Sequence, residues 1–171
     1  MNSIKGDIPR ILTYTGLIFV SFELVKGLIV NPIKAFYKDM IFVDSPFKSF
    51  EEDVSWRHKD QFEASLLYLR DFMEAITTDD MEVIQSLRKH RNQLAHNLPN
   101  MLTTIDVDEQ IALLDQTDKI LFKLSNYRAY MEVGSDPKFN NTDWAVAKGR
   151  EYLLFEEVLE QVKALVIGEI K

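Results

Sequence analysis

The sequence predicts an all-α fold, an up-and-down bundle of four or five helices in one domain. Three observations carry that expectation. Glycine and proline are sparse, six and five in 171 residues. The long intervals between them repeat apolar side chains at spacings of three and four, the period of a helix. No segment alternates polar and apolar residues for more than a few positions, as a half-buried strand would. The length is that of one domain, 1–171, with a sizeable core. No internal repeat or low-complexity segment divides it.

The first helix is expected over about 8–29, ending before Asn31-Pro32 because the residue before a proline is pushed out of helical geometry. Its sequence, ILTYTGLIFVSFELVKGLIV, is strongly apolar. Glu23 and Lys26 interrupt it, and the longest uncharged run, 11–22, is shorter than a bilayer span requires. No small-residue cleavage site follows. The expectation is a buried core helix and no membrane association.

Residues 31–54 read as an irregular connection, or as a short helix with Pro32 in its first turn. Ser49 and Glu52 have the spacing of a capping box that would start the next helix early. Phe62, Leu66, Leu69, Met73 and Ile76 then form a helical stripe. Thr77-Thr78-Asp79-Asp80 reads as a turn and cap, with carboxylates suited to a helix dipole. The third helix should run to about Leu98, where Pro99-Asn100 stops it or closes its last turn. The fourth starts near Asp106, carries Leu113, Ile120, Leu124, Tyr127 and Met131 inward, and stops at Gly134. After a polar connection, the last covers roughly 143–167, with Leu154, Val158, Val162 and Leu165 on its stripe and Gly168 at its end.

Composition sets limits on function. Apolar residues make up 46% and charged residues 27%, a soluble globular balance. The absence of cysteine excludes disulfides, zinc-thiolate sites and thiol catalysis. A net charge of −7 argues against broad nucleic-acid binding but not against a local basic patch. Phosphate loops and serine-nucleophile motifs are missing. The three histidines show no metal-ligand spacing. Glu51-Glu52-Asp53 and Asp79-Asp80 read as caps. His58 reads as solvated, and Trp56 and Trp144 as core or interface anchors.

One stretch concentrates chemistry: RKHRNQLAHN, Arg88 through Asn97. At about 100° per residue, Val83, Leu87, Leu94 and Leu98 share a core stripe with His90 beside it. Arg88, Lys89, Arg91, Asn92 and His96 share the opposite side, with Ala95 among them. The plain interpretation is a solvated, dipole-matched helix end. The chemical one is phosphoryl transfer: a guanidinium fork fits phosphate oxygens, and a histidine moves a proton near neutral pH. One Arg–His pair lacks a leaving-group acid, which a second copy across a two-fold axis would supply.

Arg91-Asn92-Gln93-Leu94-Ala95-His96 resembles the R-x4–6-H motif of the HEPN superfamily, the higher eukaryotes and prokaryotes nucleotide-binding domains. A polar residue after the arginine is usual there, and Asn92 fits. The bundle-wide resemblance covers about 8–167, the specific motif six residues. The resemblance implies a metal-independent endoribonuclease without cofactor. It implies a homodimer with a composite groove, acting on RNA in the cytoplasm as a toxin, an abortive-infection effector or another antiviral enzyme. An antitoxin or regulatory protein would be its partner. Carried over, Arg91 would stabilise the scissile phosphate, His96 would transfer the proton, and Asn92 would orient one of them. Arg88 and Lys89 would add RNA contacts. A polar pair on the first helix often supports such sites. Glu23 and Lys26 are candidates, against a plain salt-bridged pair at the bundle edge. Leu98 stands where nucleotidyltransferase-silenced toxins of this family carry tyrosine, so that mode of silencing is not expected. The alternative is a non-catalytic helical interaction protein using the same polar face.

Overall fold

The longest helix, α1 (Ile4–Asp39), is the spine on which the others pack. The computed structural model describes residues 4–102 and 107–167. Among the described residues there is no strand. After α1 come α2 (Phe50–Asp53), α3 (Gln61–Asp71), α4 (Thr78–Met101), α5 (Val107–Val133) and α6 (Arg150–Ile167). Short 3₁₀ turns lie at Ser55–Arg57 and Pro137–Phe139. The fold is all-α and bundle-like, as expected.

Tyr14, Ile18, Val25 and Ile29 of α1 are fully buried, at spacings of four and seven. They meet Leu66 and Tyr68 of α3, Ile84, Leu87 and Leu94 of α4, Leu114 and Leu121 of α5, and Phe155 of α6 in one core. Each such side chain contributes about 1.5–3 kcal/mol by leaving water. By length and composition α1 could cross a membrane, with a mean hydropathy of 1.6 over its best window. In this fold half of that window is buried among the other helices.

Several boundaries differ from expectation. α1 does not end before Asn31-Pro32 but continues through Pro32 to Asp39. A helix-interior proline costs about 3 kcal/mol. The burial of Ile33 and the packing of Phe36 and Tyr37 beyond it offset that cost. Residues 31–54 are thus part helix, part loop. Phe36, Tyr37, Phe42, Phe47, Phe50, Tyr68 and Phe72 form an aromatic nest around the loop. The Tyr37 hydroxyl donates to the buried Asp53 carboxylate at 2.7 Å, and the Lys48 N–H donates to the same oxygen at 2.7 Å. Ser49 does cap, its Oγ accepting the Glu52 N–H at 3.1 Å, but α2 lasts only four residues. The main helix restarts at Asp60, whose carboxylate accepts the Glu63 N–H at 3.0 Å. Met73 and Ile76 lie beyond α3, in the turn, and Ile76 is still buried.

Thr77 caps α4 with a reciprocal box to Asp80. Pro99 lies in the closing turn of α4, one of the two expected outcomes, and that turn reaches Met101. Met131 is exposed rather than directed to a core. Toward the end of α5, Arg128 ties to Glu151 of α6 (2.8 Å), and Trp144 packs edge-on against Tyr130. α6 begins at Arg150, not near 143. The Asn126 side-chain amide donates to the Trp144 and Ala147 carbonyls at 2.7 Å each, holding that segment out of helical geometry. Gly149 lies so close to Ser125 that a Cβ would collide with it. The buried stripe of α6 is Tyr152, Phe155 and Leu159, whereas Leu154 is exposed. The side chains of Val162 and Leu165, and Gly168, lie outside the described residues, as does Asp106. Trp56 is not a core residue: it is 68% exposed, with the Arg57 guanidinium 5.2 Å from its ring centre.

Candidate functional site

The Arg88–Asn97 stretch lies on α4, and its two sides differ. Ile84, Leu87 and Leu94 face the core, with Val83 and Leu98 partly covered. His90 sits with them, buried, and its Nε2 is 2.9 Å from the Tyr14 hydroxyl of α1. Burial pushes the Tyr14 hydroxyl pKa up and the His90 imidazolium pKa down, so both are held neutral. This pair pins α4 against α1 one residue before Arg91.

Arg91 leans toward α1. Its guanidinium carbon lies 5.0 Å from the Phe19 ring centre and 5.6 Å from that of Phe22, a cation–π arrangement. One terminal nitrogen is 3.7 Å from Glu23, and the other donates to the Asn92 side-chain oxygen at 3.2 Å. Its Nε is buried and lacks a hydrogen-bond acceptor. The side chain is nonetheless 30% exposed. Glu23 also lies 3.9 Å from Lys26, so one member of the first-helix pair contacts Arg91 and the other contacts only its partner among the described residues. Gly16 and Val20 of the same α1 face are open to solvent.

Arg88 leans the other way. It reaches Asp60 at 3.3 Å and Glu63 at 3.7 Å, and stacks over Phe62 at 5.4 Å. Asp60 is held below the usual carboxylate range, first by the Glu63 N–H it caps and then by Arg88. Arg88 therefore ties α4 to the start of α3, although it still borders the polar face.

His96 and Lys89 stand free on that face. With Gln85, Arg88, Asn92, Gln93 and Asn97 they line a shallow groove of about 490 Å³. Gln85 is engaged by Glu63 of α3. Gln93 and Asn97 were not singled out from the sequence. They follow Lys89 at four and eight residues, and that row was the available signal.

Arg91 and His96 do not converge within one chain. Five residues at about 100° each place them about 140° apart around the helix. The exposed Ala95 lies between them. Pro99 removes the N–H that would bond the Ala95 carbonyl in a regular helix. Two clusters result: Arg91 with Glu23, Lys26 and Asn92 on one flank, and Lys89 with His96 on the other. Asn92 borders both. Among the described residues no group of three or more histidines and carboxylates is placed to hold a metal ion. Compared with family models, with curated proteins and with solved structures, the chain finds no significant match in any of the three.

Proposed function

We propose that this chain is a HEPN-type, metal-independent endoribonuclease that acts as a homodimer. Its physiological setting in this proposal is the cytoplasm, as a toxin or antiviral effector restrained by a partner protein. The observation that carries the proposal is the disposition of Arg91 and His96 about Ala95. They lie on opposite shoulders of one helix, with a small side chain between them. A second copy of α4 crossing at Ala95 would face each Arg91 toward the other protomer's His96.

The chemistry then has its parts. One His96 takes the proton from the ribose 2′-hydroxyl, whose oxygen attacks phosphorus. Arg91 supports the negative charge of the crowded phosphorane. The bond to the 5′-oxygen breaks, and the second protomer's histidine returns a proton to that leaving group. The products are a 2′,3′-cyclic phosphate and a 5′-hydroxyl. Asn92, which accepts from the Arg91 guanidinium, orients it. Glu23 keeps the guanidinium on the α1 shoulder, and Lys89 and Arg88 hold flanking phosphates.

A non-catalytic interaction role is favoured by one observation. Arg91 is already occupied within its own chain by two rings and a carboxylate, as a structural arginine would be.

Incubation of purified protein with structured and total RNA in EDTA separates the two. Cutting that leaves a cyclic phosphate and disappears in both Arg91→Ala and His96→Ala supports the nuclease. Mixed dimers of the two variants should stay inactive, because each holds a single His96 and the reaction uses one from each protomer. Failure of wild-type dimer to cut any RNA, with Arg91→Ala altering only stability or association, would favour the interaction protein.

A further inference from the structure

At the far end of α1 a second groove, about 600 Å³, opens between the last turns of that helix and the 40–51 segment. Tyr37, Phe42 and Phe50 line it, and each belongs to the aromatic nest that fixes its position. Lys34 and Lys38, four residues apart on one side of α1, border it, and Lys48 borders it from the loop. The lining carries one carboxylate, Glu51, against these three lysines. Lys26, Lys123 and Lys148 each sit against a carboxylate. Lys34, Lys38 and Lys48 have no carboxylate partner among the described residues, although the chain carries an excess of acid. Met40 and Ile41 extend the apolar lining outward, Ile41 being 91% exposed.

Aromatic rings between unpaired cations fit a flexible polyanion that carries flat rings of its own. Bases lie on the rings while the backbone phosphates meet the lysines. We infer that this groove binds single-stranded RNA, through Lys34, Lys38 and Lys48 for the phosphates and Phe42 and Tyr37 for a base. The choice of RNA over other ring-bearing anions rests on the ribonuclease proposal above. The groove lies eleven to fifteen residues beyond Glu23 on a continuous helix, which is about 16–22 Å. A strand held there would be presented along α1 toward Arg91. A local basic site of this kind also accounts for how an acidic chain would retain RNA.

The test uses the full chain carrying His96→Ala, so that substrate survives. Binding of a fluorescein-labelled 12-nucleotide single-stranded RNA is followed by anisotropy, with and without Lys34→Ala, Lys38→Ala and Lys48→Ala combined. All three are surface groups, and circular dichroism checks the fold. Binding should weaken at least tenfold in the triple variant. The slope of log affinity against log salt should become shallower by about 2, at about 0.7 per lysine. Phe42→Leu should weaken binding without changing that slope. Unchanged affinity in the triple variant overturns the inference. So does absence of RNA binding by the parent, or lysine-dependent binding to phosphatidylserine vesicles in place of RNA. Lysine-dependent RNA binding by a protein that never cuts would keep the groove and remove the nuclease. Cutting with no effect of the lysines would do the reverse.

Discussion

The two shoulders of α4 are built from the same few residue types and are treated in opposite ways. On the α1 side Arg91 is stacked on two phenylalanines, paired with Glu23 and bonded to Asn92. On the other side Lys89, Gln93 and His96 face an open groove with no partner among the described residues. One shoulder is pre-arranged and therefore contributes to stability. The other is free and contributes little to it. A chemical group that must meet substrate is expected on a rigid support with its polar atoms unspent. His96 meets that description fully and Arg91 in part.

That contrast can be broken by mutation. The largest expected effect is on cleavage: His96→Ala should lower the RNA-cutting rate a hundredfold or more, the scale of a lost proton-transfer group. Its unfolding free energy in urea should stay within about 0.5 kcal/mol of wild type, because an exposed side chain without partners is removed. A matching loss of stability would show that the free shoulder is not free.

Arg91→Ala should lose both properties. Cleavage should fall as far, and stability should drop by about 1–2 kcal/mol from the lost ring contacts and stem packing. Arg91→Lys keeps the charge but not the planar fork, and should recover little of either. Cleavage surviving in Arg91→Lys would mean that any cation serves there.

Tyr14→Phe probes the buried pin beneath both shoulders. Loss of the bond to His90 should cost about 1 kcal/mol in urea unfolding, with the helical spectrum unchanged. The same pair sets a pH dependence. His90 titrates below its ordinary value of 6.5 in the folded chain, because burial disfavours its charged form. Above that pH both states are neutral at this site and its contribution is complete. As pH falls below 6.5, the unfolded chain takes up the proton first and stability declines, by at most about 1.4 kcal/mol per unit. Unfolding at pH about 7.5 and 5.5 should show the decline in wild type and a smaller one in His90→Gln. An equal decline in both would assign it to other groups.

The smallest effect belongs to Glu23→Gln. Its pairs with Arg91 and Lys26 are long and Glu23 itself is more than half exposed, so stability should change by less than about 0.5 kcal/mol. A double-mutant cycle with Arg91→Ala measures the coupling directly. A coupling of several kcal/mol would contradict the solvent-screened geometry.

Much of this was legible in the residues. The helical period of α3 and α4, the Thr77 cap and the polar face around Ala95 all follow from local rules, and each rests on neighbours within one turn. His90 could be assigned to the core side by counting at 100° per residue, and it is buried there. What failed also had local logic: Pro32 reads as a stop and is not. Ser49 reads as the start of a long helix and begins a short one. At Pro32 the aromatic nest outweighed the local preference, and after Ser49 a second local cap, Asp60, starts the longer helix.

By itself the sequence determined the all-helical class, the amphipathic face of α4 and which side chains could do chemistry there, since spacing and residue type suffice for these. Only the tertiary structure decided which of those side chains are already occupied. Arg91 lies more than sixty positions along the chain from Glu23 and the two phenylalanines, and no spacing rule connects them. The same holds for Lys34, Lys38 and Lys48, gathered over one aromatic groove because α1 runs on past Pro32 and the 40–51 loop folds back upon it.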